Sequence, residues 1–262
     1  MESLHLSQRE IRRYGKQIML PEVGLEGQEK LKKASVLVVG AGGLGSPVLQ
    51  YLAAAGTGKI GIIEFDKVDE TNLQRQVLYG SHDVGKLKSI IVRERLEHLN
   101  SLVKLEIINL RLDSSNSLRI IKDYDVIIDA TDNYETRYII NDSCIILDKP
   151  MVYGAIYKYE GQISVFNYKG GPTYRCFNPD DHGKILKNPQ PADIGLMGVL
   201  PGITGTWMAN EVIKIITGIG TVLSGKVLVF NTMDNSFRLL SIRNIPENHS
   251  ISSITTSFLS GR

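Results

Sequence analysis

The sequence predicts an α/β protein. We expect a Rossmann-like, mostly parallel sheet with helices on both faces, continued by a β-rich C-terminal part with antiparallel strands. Up to residue 150, short runs of branched apolar residues alternate with helical patterns, as in parallel strands joined by crossover helices. A glycine cluster joins the first run to its helix. After residue 150, strand patterns follow one another directly, which favours antiparallel pairing.

The N-terminal part, residues 1–33, is expected to form an arm of two helices over 6–20 and 24–33. The next part, residues 34–150, is predicted to be the Rossmann-like part. Its continuous apolar runs are typical of strands buried on both faces, and its amphipathic stretches are typical of helices. The predicted strands are 35–39, 59–65, 104–110 and 124–129, and the predicted helices begin at Gly45, cover 84–99 and cover 134–147.

The C-terminal part, residues 151–243, begins with two strands that we expect to turn at Glu160-Gly161. A polar stretch at about 178–195 predicts a loop that crosses over the sheet. The remaining predicted elements are a helix over 199–217, a hairpin around residues 233–236 and a flexible Ser/Thr-rich tail over 244–262.

Composition excludes several classes of function. The net charge of +2 is too small to indicate a nucleic-acid partner. No apolar run approaches the roughly 18 residues that a membrane span needs, and the polar N-terminus has no signal-peptide core. Cys144 and Cys176 do not make a disulfide framework. We therefore expect a cytoplasmic protein without a nucleic-acid or membrane partner.

A glycine turn follows the first predicted strand. Gly40, Gly42 and Gly45 satisfy G-x-G-x-x-G, and Gly43 is an additional glycine. Such a turn lets the backbone approach a phosphate at a helix N-terminus, and Glu64, at the end of the second strand, is placed to accept hydrogen bonds from ribose hydroxyls. A nucleotide site is the prediction, which makes residues 34–150 the nucleotide-binding part. A glycine-rich packing turn is the alternative.

The polar residues beyond the next strands indicate the chemistry. Asn72, Arg75 and Gln76 fall at helical spacing, Lys88 begins a later helix and Asp132 follows the fourth strand. Several cations aimed at one point suit a triphosphate, and a carboxylate beside phosphates is a usual Mg²⁺ arrangement. The alternatives are that Arg75 and Lys88 are solvated surface cations and that Asp132 caps the helix over 134–147.

Several motifs carry a family resemblance: RYGKQI, GAGGLGSPVLQYLAAAGTG, FDKVDETNLQRQVLY, DVGKLKS, DATDN and EGQISVF. Over residues 8–243 the chain resembles the MoeB/ThiF/HesA adenylyltransferases, relatives of the ubiquitin-activating E1 enzymes. The resemblance implies ATP-dependent activation of the C-terminal glycine of a small ubiquitin-like sulfur carrier of the MoaD/ThiS type. The product is an acyl-adenylate, and pyrophosphate is released. The resemblance also implies a homodimer and a carrier tail ending in Gly-Gly.

The resemblance assigns roles to particular residues. It gives catalysis to Arg75, Lys88, Asp132 and Lys16, and Mg²⁺ binding to Asp132. At the position of Lys16, many relatives have an arginine that reaches the partner subunit's ATP site. Lysine keeps the positive charge but cannot bind a phosphate with two parallel hydrogen bonds, as a guanidinium can. The implied nucleotide-binding residues are Gly40, Gly42, Gly43, Glu64, Thr71, Asn72, Leu73, Gln74, Arg75, Lys88, Asp132 and Asn133.

The chain departs from the family at its cysteines. Many relatives hold zinc with two Cys-x-x-Cys pairs, but here the first pair is reduced to Cys176 with Thr173, and the region 243–250 has no cysteine. Four ligands are needed, so we predict no zinc. We expect Cys176 to pack as a small apolar residue and Cys144 to be buried.

The predicted crossover loop also has no cysteine to form a thioester with the carrier. Sulfur must then come from a separate donor of the rhodanese or cysteine desulfurase type. Other functions are E1-like adenylation of a peptide or tRNA-bound carboxylate, a non-catalytic E1-like partner, and an NAD-dependent oxidoreductase. An NAD-dependent oxidoreductase would have no use for Arg75 or Lys88.

Overall fold

One mixed sheet organises the computed structural model, which describes residues 5–179 and 195–254. Within those residues, eight strands lie in the order β3-β2-β1-β4-β5-β6-β7-β8. The strands are β1 Ser35–Val39, β2 Lys59–Ile63, β3 Lys104–Ile108, β4 Val126–Asp129, β5 Met151–Tyr157, β6 Glu160–Phe166, β7 Lys226–Asn231 and β8 Ser236–Ser241. The helices are α1 Gln8–Ile18, α2 Gly24–Lys33, α3 Gly45–Ala55, α4 Lys88–Leu99, α5 Ser117–Ile121, α6 Tyr134–Ile146, α7 Tyr174–Phe177 and α8 Val199–Thr217.

The predicted fold class is confirmed. Strands β1 to β5 pair in parallel, and β6, β7 and β8 continue the sheet in antiparallel fashion. Because β4 pairs with β5, the sheet is continuous across the division that the sequence suggests at residue 150. The glycine turn follows β1, which lies between β2 on one side and β4 on the other. This change of direction opens a crevice at the carboxyl ends of β1 and β4.

Helices cover both faces of the sheet, and strand alternation assigns side chains to each. Val36 and Val38 of β1 enter a core with α3, α4 and α8. Leu37 and Val39 enter a second core with α5, α6 and α7. All four side chains are buried, which explains why this strand reads as a continuous apolar run rather than an alternating one.

The predicted turn between β5 and β6 is wrong by two positions. Lys158 and Tyr159 make the turn, and Lys158 has a φ of +53°. Glu160 and Gly161 belong to β6, where Gly161 pairs with Phe230 of β7. A Cβ at Gly161 would collide with the ring of Phe230. The glycine therefore serves a close tertiary contact, which the local sequence pattern does not reveal.

Two other predictions concern segments that lie mostly outside the described residues. Most of the predicted crossover loop, residues 180–194, and the tail residues 255–262 lie outside them. The described start of the tail contains a single 3₁₀ turn, Pro246–His249. Across 5–179 and 195–254, every helix is too short or too polar to span a bilayer.

Candidate active site

The glycine turn at the end of β1 is held from two sides. Gly40 has a φ of +95°, which favours glycine. The Ala41 N–H donates to Glu64 Oε2 at 2.9 Å, and the Tyr79 hydroxyl donates to the Ala41 carbonyl at 2.8 Å. Burial and the charge of Glu64 raise the pKa of Tyr79, so its hydroxyl keeps the proton that it donates. The turn is thus fixed before any ligand arrives.

Glu64 uses both carboxylate oxygens within the fold. Besides Ala41, it accepts from the N–H groups of Phe65 at 2.9 Å and Asp66 at 2.8 Å. The side chain is 5% exposed. Ribose binding by Glu64 stays a prediction, and any hydroxyl would share oxygens that already accept hydrogen bonds.

The segment after β2 returns to the same edge of the sheet. Lys67 and Leu87 form an antiparallel bridge, and the Lys88 N–H donates to the Asp66 carbonyl at 2.9 Å. Lys88 therefore begins α4 beside the carboxyl end of β2. Its ammonium is 3.7 Å from Asp66 Oδ2, and the residue is only 4% exposed. It is not a solvated surface cation.

Buried lysine at this position needs an explanation. A cation at the first residue of a helix faces the positive end of the helix dipole, and desolvation adds to that penalty. Asp66 offsets part of the penalty, although its carboxylate is largely exposed. A cation kept at such a place is suited to meeting an anion that arrives from solvent.

Arg75 lies beside the glycine turn. A Cβ at Gly43 would contact Arg75 Cγ at 3.7 Å and Pro201 Cβ at 3.1 Å. The guanidinium donates to the Thr71 carbonyl at 2.9 Å and is partly exposed. Two sets of hydrogen bonds hold this loop. Asp69 accepts from the N–H and the hydroxyl of Thr71, and the Asn72 carbonyl accepts from the backbone N–H groups of Arg75 and Gln76. In addition, Leu73 packs on the core and Gln74 contacts Gly198.

Asp132 follows β4 and is exposed. It does not cap α6, because the N-cap is Asn133, whose side chain accepts from the Thr136 N–H at 2.9 Å. The adjoining loop touches the glycine turn, since a Cβ at Gly40 would meet the Ala130 carbonyl at 2.9 Å. The structure therefore brings Asp132, Arg75 and Lys88 to one edge of the sheet, at its change of direction.

Lys16 lies elsewhere. Tyr14 of the same helix packs against Gly56 and accepts a hydrogen bond from Asn100 at 2.9 Å, and Gln17 donates to the Ala55 carbonyl. These contacts place α1 at the C-terminal end of α3, whereas the glycine turn precedes its N-terminal end. An eleven-residue helix is about 16 Å long. Lys16 is thus separated from the other predicted residues within its own subunit.

Sequence reasoning left some residues of this edge without a role. Gln76 is buried against Gly42, and its Oε1 has no hydrogen-bond partner in the described residues. Asp129 and Arg137 form a buried ion pair with an Nε–Oδ2 distance of 2.7 Å. The sequence does contain a signal for this pair: Arg137 lies on an otherwise buried face of its helix, and a buried arginine requires a partner.

Cys144 is fully buried, as predicted, but the prediction for Cys176 is wrong. Its sulfur contacts the Thr173 hydroxyl at 3.4 Å and accepts from the Ile245 N–H at 3.4 Å and the Asn248 side chain at 3.6 Å. These groups tie α7 to residues 245–248 through a polar cluster. They do not fit a four-ligand zinc site, and no group of three metal-binding side chains occurs in 5–179 or 195–254.

The fold and this edge define a class: a doubly wound α/β protein with a glycine turn, and with Arg75 and Lys88 at the edge of the sheet where the strand order changes direction. The model of the ThiF family matches residues 14–251, and the chain belongs to that family. It is 48% identical to a sulfur carrier protein adenylyltransferase of Thermus thermophilus over 244 residues, 90% of this chain and 89% of that relative.

Two further similarities agree. A probable molybdopterin-synthase adenylyltransferase of Porphyra purpurea is 51% identical over 237 residues, 89% of this chain but 61% of that relative. Among solved structures, Escherichia coli MccB with MccA-N7isoASN has a TM-score of 0.79 at 22% identity, covering 89% of this chain and 72% of that chain; this likeness concerns the fold. The chain is an enzyme of the adenylyltransferase class, a reaction class that uses ATP.

Proposed function

We propose that this enzyme activates the C-terminal glycine of a small ubiquitin-like sulfur carrier, of the MoaD/ThiS type, as an acyl-adenylate. The proposal is supported by one observation: Arg75 lies beside the glycine turn, and Lys88 and Asp132 follow β2 and β4 at the same edge of the sheet. The name of the Thermus relative supports a sulfur carrier as the protein that is adenylated.

The space at Gly42 supports a ligand at the turn. A Cβ at Gly42 would be 3.5 Å from the nearest described atom, an ordinary contact distance. Packing within the described residues thus gives no reason for glycine there, in contrast to Gly40 with its positive φ. A phosphate that approaches the backbone closely is a sufficient reason.

The proposed reaction joins two anions. A carboxylate oxygen of the carrier tail attacks the α-phosphorus of ATP, the new P–O bond forms, and the bond to the β-phosphate oxygen breaks with its electron pair leaving on pyrophosphate. Arg75 and Lys88 lower the repulsion and stabilise charge on the phosphoryl oxygens. No side chain acts as nucleophile, so catalysis rests on positioning and electrostatics.

Asp132 suits Mg²⁺ in a particular way. Mg²⁺ is commonly bound by one or two carboxylates together with substrate phosphates and water, and Asp132 is one exposed carboxylate beside the turn. The donor set therefore fits Mg²⁺ when nucleotide phosphates are present. Bound there, Mg²⁺ would neutralise phosphate charge, and Asp132 would fix its place.

The proposed partners follow from the same reaction. A tail ending in Gly-Gly reaches the α-phosphorus without side-chain hindrance. Because the loop over 178–195 has no cysteine, the acyl-adenylate passes to a separate sulfur donor, of the rhodanese or cysteine desulfurase type. We also propose a homodimer in which Lys16 acts in the partner's site.

Pyrophosphate exchange into ATP tests the proposed function, with purified candidate carriers added one at a time. We expect exchange that requires a carrier with an intact Gly-Gly end and that vanishes when this end is removed. Asp132→Asn should lower exchange by at least about a hundredfold, as expected for loss of a group that holds the charged reactants.

Asp123→Asn is the matched control, because Asp123 is also exposed but precedes β4, at the opposite edge of the sheet. It should retain wild-type exchange. Full activity of a folded Asp132→Asn variant would refute the metal assignment. Exchange driven by a short peptide or by tRNA, without a carrier, would replace the sulfur carrier as substrate.

A further inference from the structure

The loop between β4 and α6 carries Asp132 but is anchored through its neighbours. Asp129 Oδ1 accepts from the N–H of Thr131 at 3.1 Å and from its hydroxyl at 2.5 Å. Arg137 Nη2 donates to the Thr131 carbonyl at 3.0 Å. Asn133, on the other side, is fixed as the N-cap of α6. The backbone is therefore held immediately before and after Asp132.

The Asp129–Arg137 pair is unusually deep. Asp129 is fully buried and Arg137 is 7% exposed. The guanidinium carbon lies 4.8 Å from the ring centroid of Tyr153 and 5.8 Å from that of Tyr174. Burial opposes the charge of Arg137, but Asp129 together with Tyr153 and Tyr174 outweighs burial and raises the pKa of Arg137. Arg137 therefore keeps its charge.

Stability alone is a poor explanation for such a pair. Desolvation of two charges offsets most of their attraction, and apolar replacements of similar volume are often at least as stable. What an apolar pair could not do is hold both polar groups of the Thr131 backbone. Since the Thr131 carbonyl is fixed, the peptide between Thr131 and Asp132 cannot rotate freely, and the direction in which Asp132 leaves the chain is set.

We propose that Arg137, oriented by Asp129, is a positioning residue that holds Asp132 in the place from which it binds Mg²⁺ with the ATP phosphates. The proposal rests on the proposed function and deepens it. Residues that orient a metal ligand typically change metal affinity by 10- to 100-fold when replaced.

Calorimetric titration of the full chain with ATP tests this, once with Mg²⁺ and once with EDTA. The measured quantity is the ratio of the two ATP affinities. In the wild type Mg²⁺ should tighten ATP binding, and Asp132→Asn should abolish that gain. Arg137→Lys keeps the charge but loses the fork that reaches both Asp129 and Thr131, so its ratio should fall about tenfold while its affinity in EDTA stays unchanged.

Two further variants keep the test decisive. Arg137→Met removes the guanidinium but leaves Asp129 buried without its ionic partner, which can prevent folding. If that variant does not fold, the double variant Asp129→Asn/Arg137→Met, which removes both charges, is measured in its place. Arg175→Met is the matched control. Arg175 also forms a partly buried ion pair with α6, through two hydrogen bonds to Asp142 at 2.8 and 2.7 Å, but Asp142 lies nine residues beyond Asn133. Its ratio should equal that of the wild type.

Hydrogen exchange in the nucleotide-free protein supplies a second readout. The amides of residues 131–133 should exchange faster in Arg137→Lys than in the wild type, and Arg175→Met should leave them unchanged. If the wild type gains from Mg²⁺ and folded Arg137 variants gain equally, the positioning role is wrong. If the wild type binds ATP equally with Mg²⁺ and with EDTA, the metal assignment fails and the positioning role fails with it.

Discussion

Cys176 shows how one side chain changes when its expected companions are absent. In place of further cysteines, its sulfur meets the N–H of Ile245 and the side chains of Thr173 and Asn248. Burial raises the pKa of the thiol, but these hydrogen bonds, first that of Thr173, outweigh burial and leave the pKa below its ordinary value. The structural connection between α7 and residues 245–248 is therefore strongest for the thiolate.

This leads to a prediction of pH-dependent reactivity. In Cys144→Ser, where Cys176 is the remaining thiol, the iodoacetamide alkylation rate should rise with a midpoint below the roughly 8.5 of an unperturbed cysteine. In Cys176→Ser, Cys144 should react slowly at any pH below 10, because burial raises its pKa and blocks access.

The same shift has a consequence for stability. A folded-state pKa below the unfolded value stabilises the fold at pH values above the unfolded pKa, and this contribution is lost as pH falls through the folded pKa. Cys176→Ser should therefore destabilise the protein more at pH 9 than at pH 6, as measured by urea unfolding. A midpoint of alkylation at or above that of free cysteine would contradict both expectations.

Among the elements, α8 is the one that supports the glycine turn from behind. Pro201 lies against Gly43, and Gly198 lies against Gln74, the residue before Arg75. Gly205 lies against Leu44 and Pro47, such that a Cβ there would collide with the Leu44 carbonyl and would lie 2.5 Å from Pro47 Cγ. The glycine turn and the N-terminal half of α8 are thus closely packed against each other.

Two glycines of α8 give a paired prediction. Gly205→Ala should destabilise the protein by about 1–3 kcal/mol, because the backbones must separate, and should weaken ATP binding through the displaced turn. Gly202→Ala meets nothing within 4 Å and should stabilise the helix by about 0.5–1 kcal/mol. Urea midpoints and ATP titrations of both variants measure this. Equal stabilities would show that α8 does not constrain the turn.

The elements that could be predicted from sequence are those whose signal is local. The apolar run at 35–39 and the glycines after it specify strand, turn and helix, and polar residues after buried strands mark the edge that carries Arg75 and Asp132. The turn predicted at Glu160-Gly161 was wrong because glycine is needed at 161 for close packing against the ring of Phe230, which is 69 residues away in sequence. Arg137 went without a role because its partner, Asp129, reads as the end of an apolar strand.

At the scale of the whole molecule, the position of Lys16 is the unexplained feature. It is exposed, on α1, beyond the C-terminal end of α3, while Asp132 lies at the edge where α3 begins. If Lys16 contributes to catalysis, a second copy of the chain must bring it to the site. Closed two-fold dimers make such an exchange reciprocal, so each subunit would complete the other's site.

Mixed dimers can therefore decide between the two arrangements. Lys16→Ala and Asp132→Asn subunits with different affinity tags are coexpressed, and the dimers that carry both tags are isolated. If Lys16 acts across the dimer, one of the two sites contains both native side chains, and carrier-dependent exchange should reach about half the wild-type rate. If Lys16 acts within its own subunit, neither site is complete, and exchange should stay at the level of the parents.

The complementary pairing reverses both outcomes. In dimers of one wild-type subunit with one Lys16→Ala/Asp132→Asn subunit, action across the dimer leaves no complete site, because the intact Asp132 faces an alanine. Action within the subunit leaves one complete site and about half the rate. Since the two pairings contain the same four side chains in different distributions, a general loss of stability would lower both equally. Only the geometry of the dimer can lower one pairing and preserve the other.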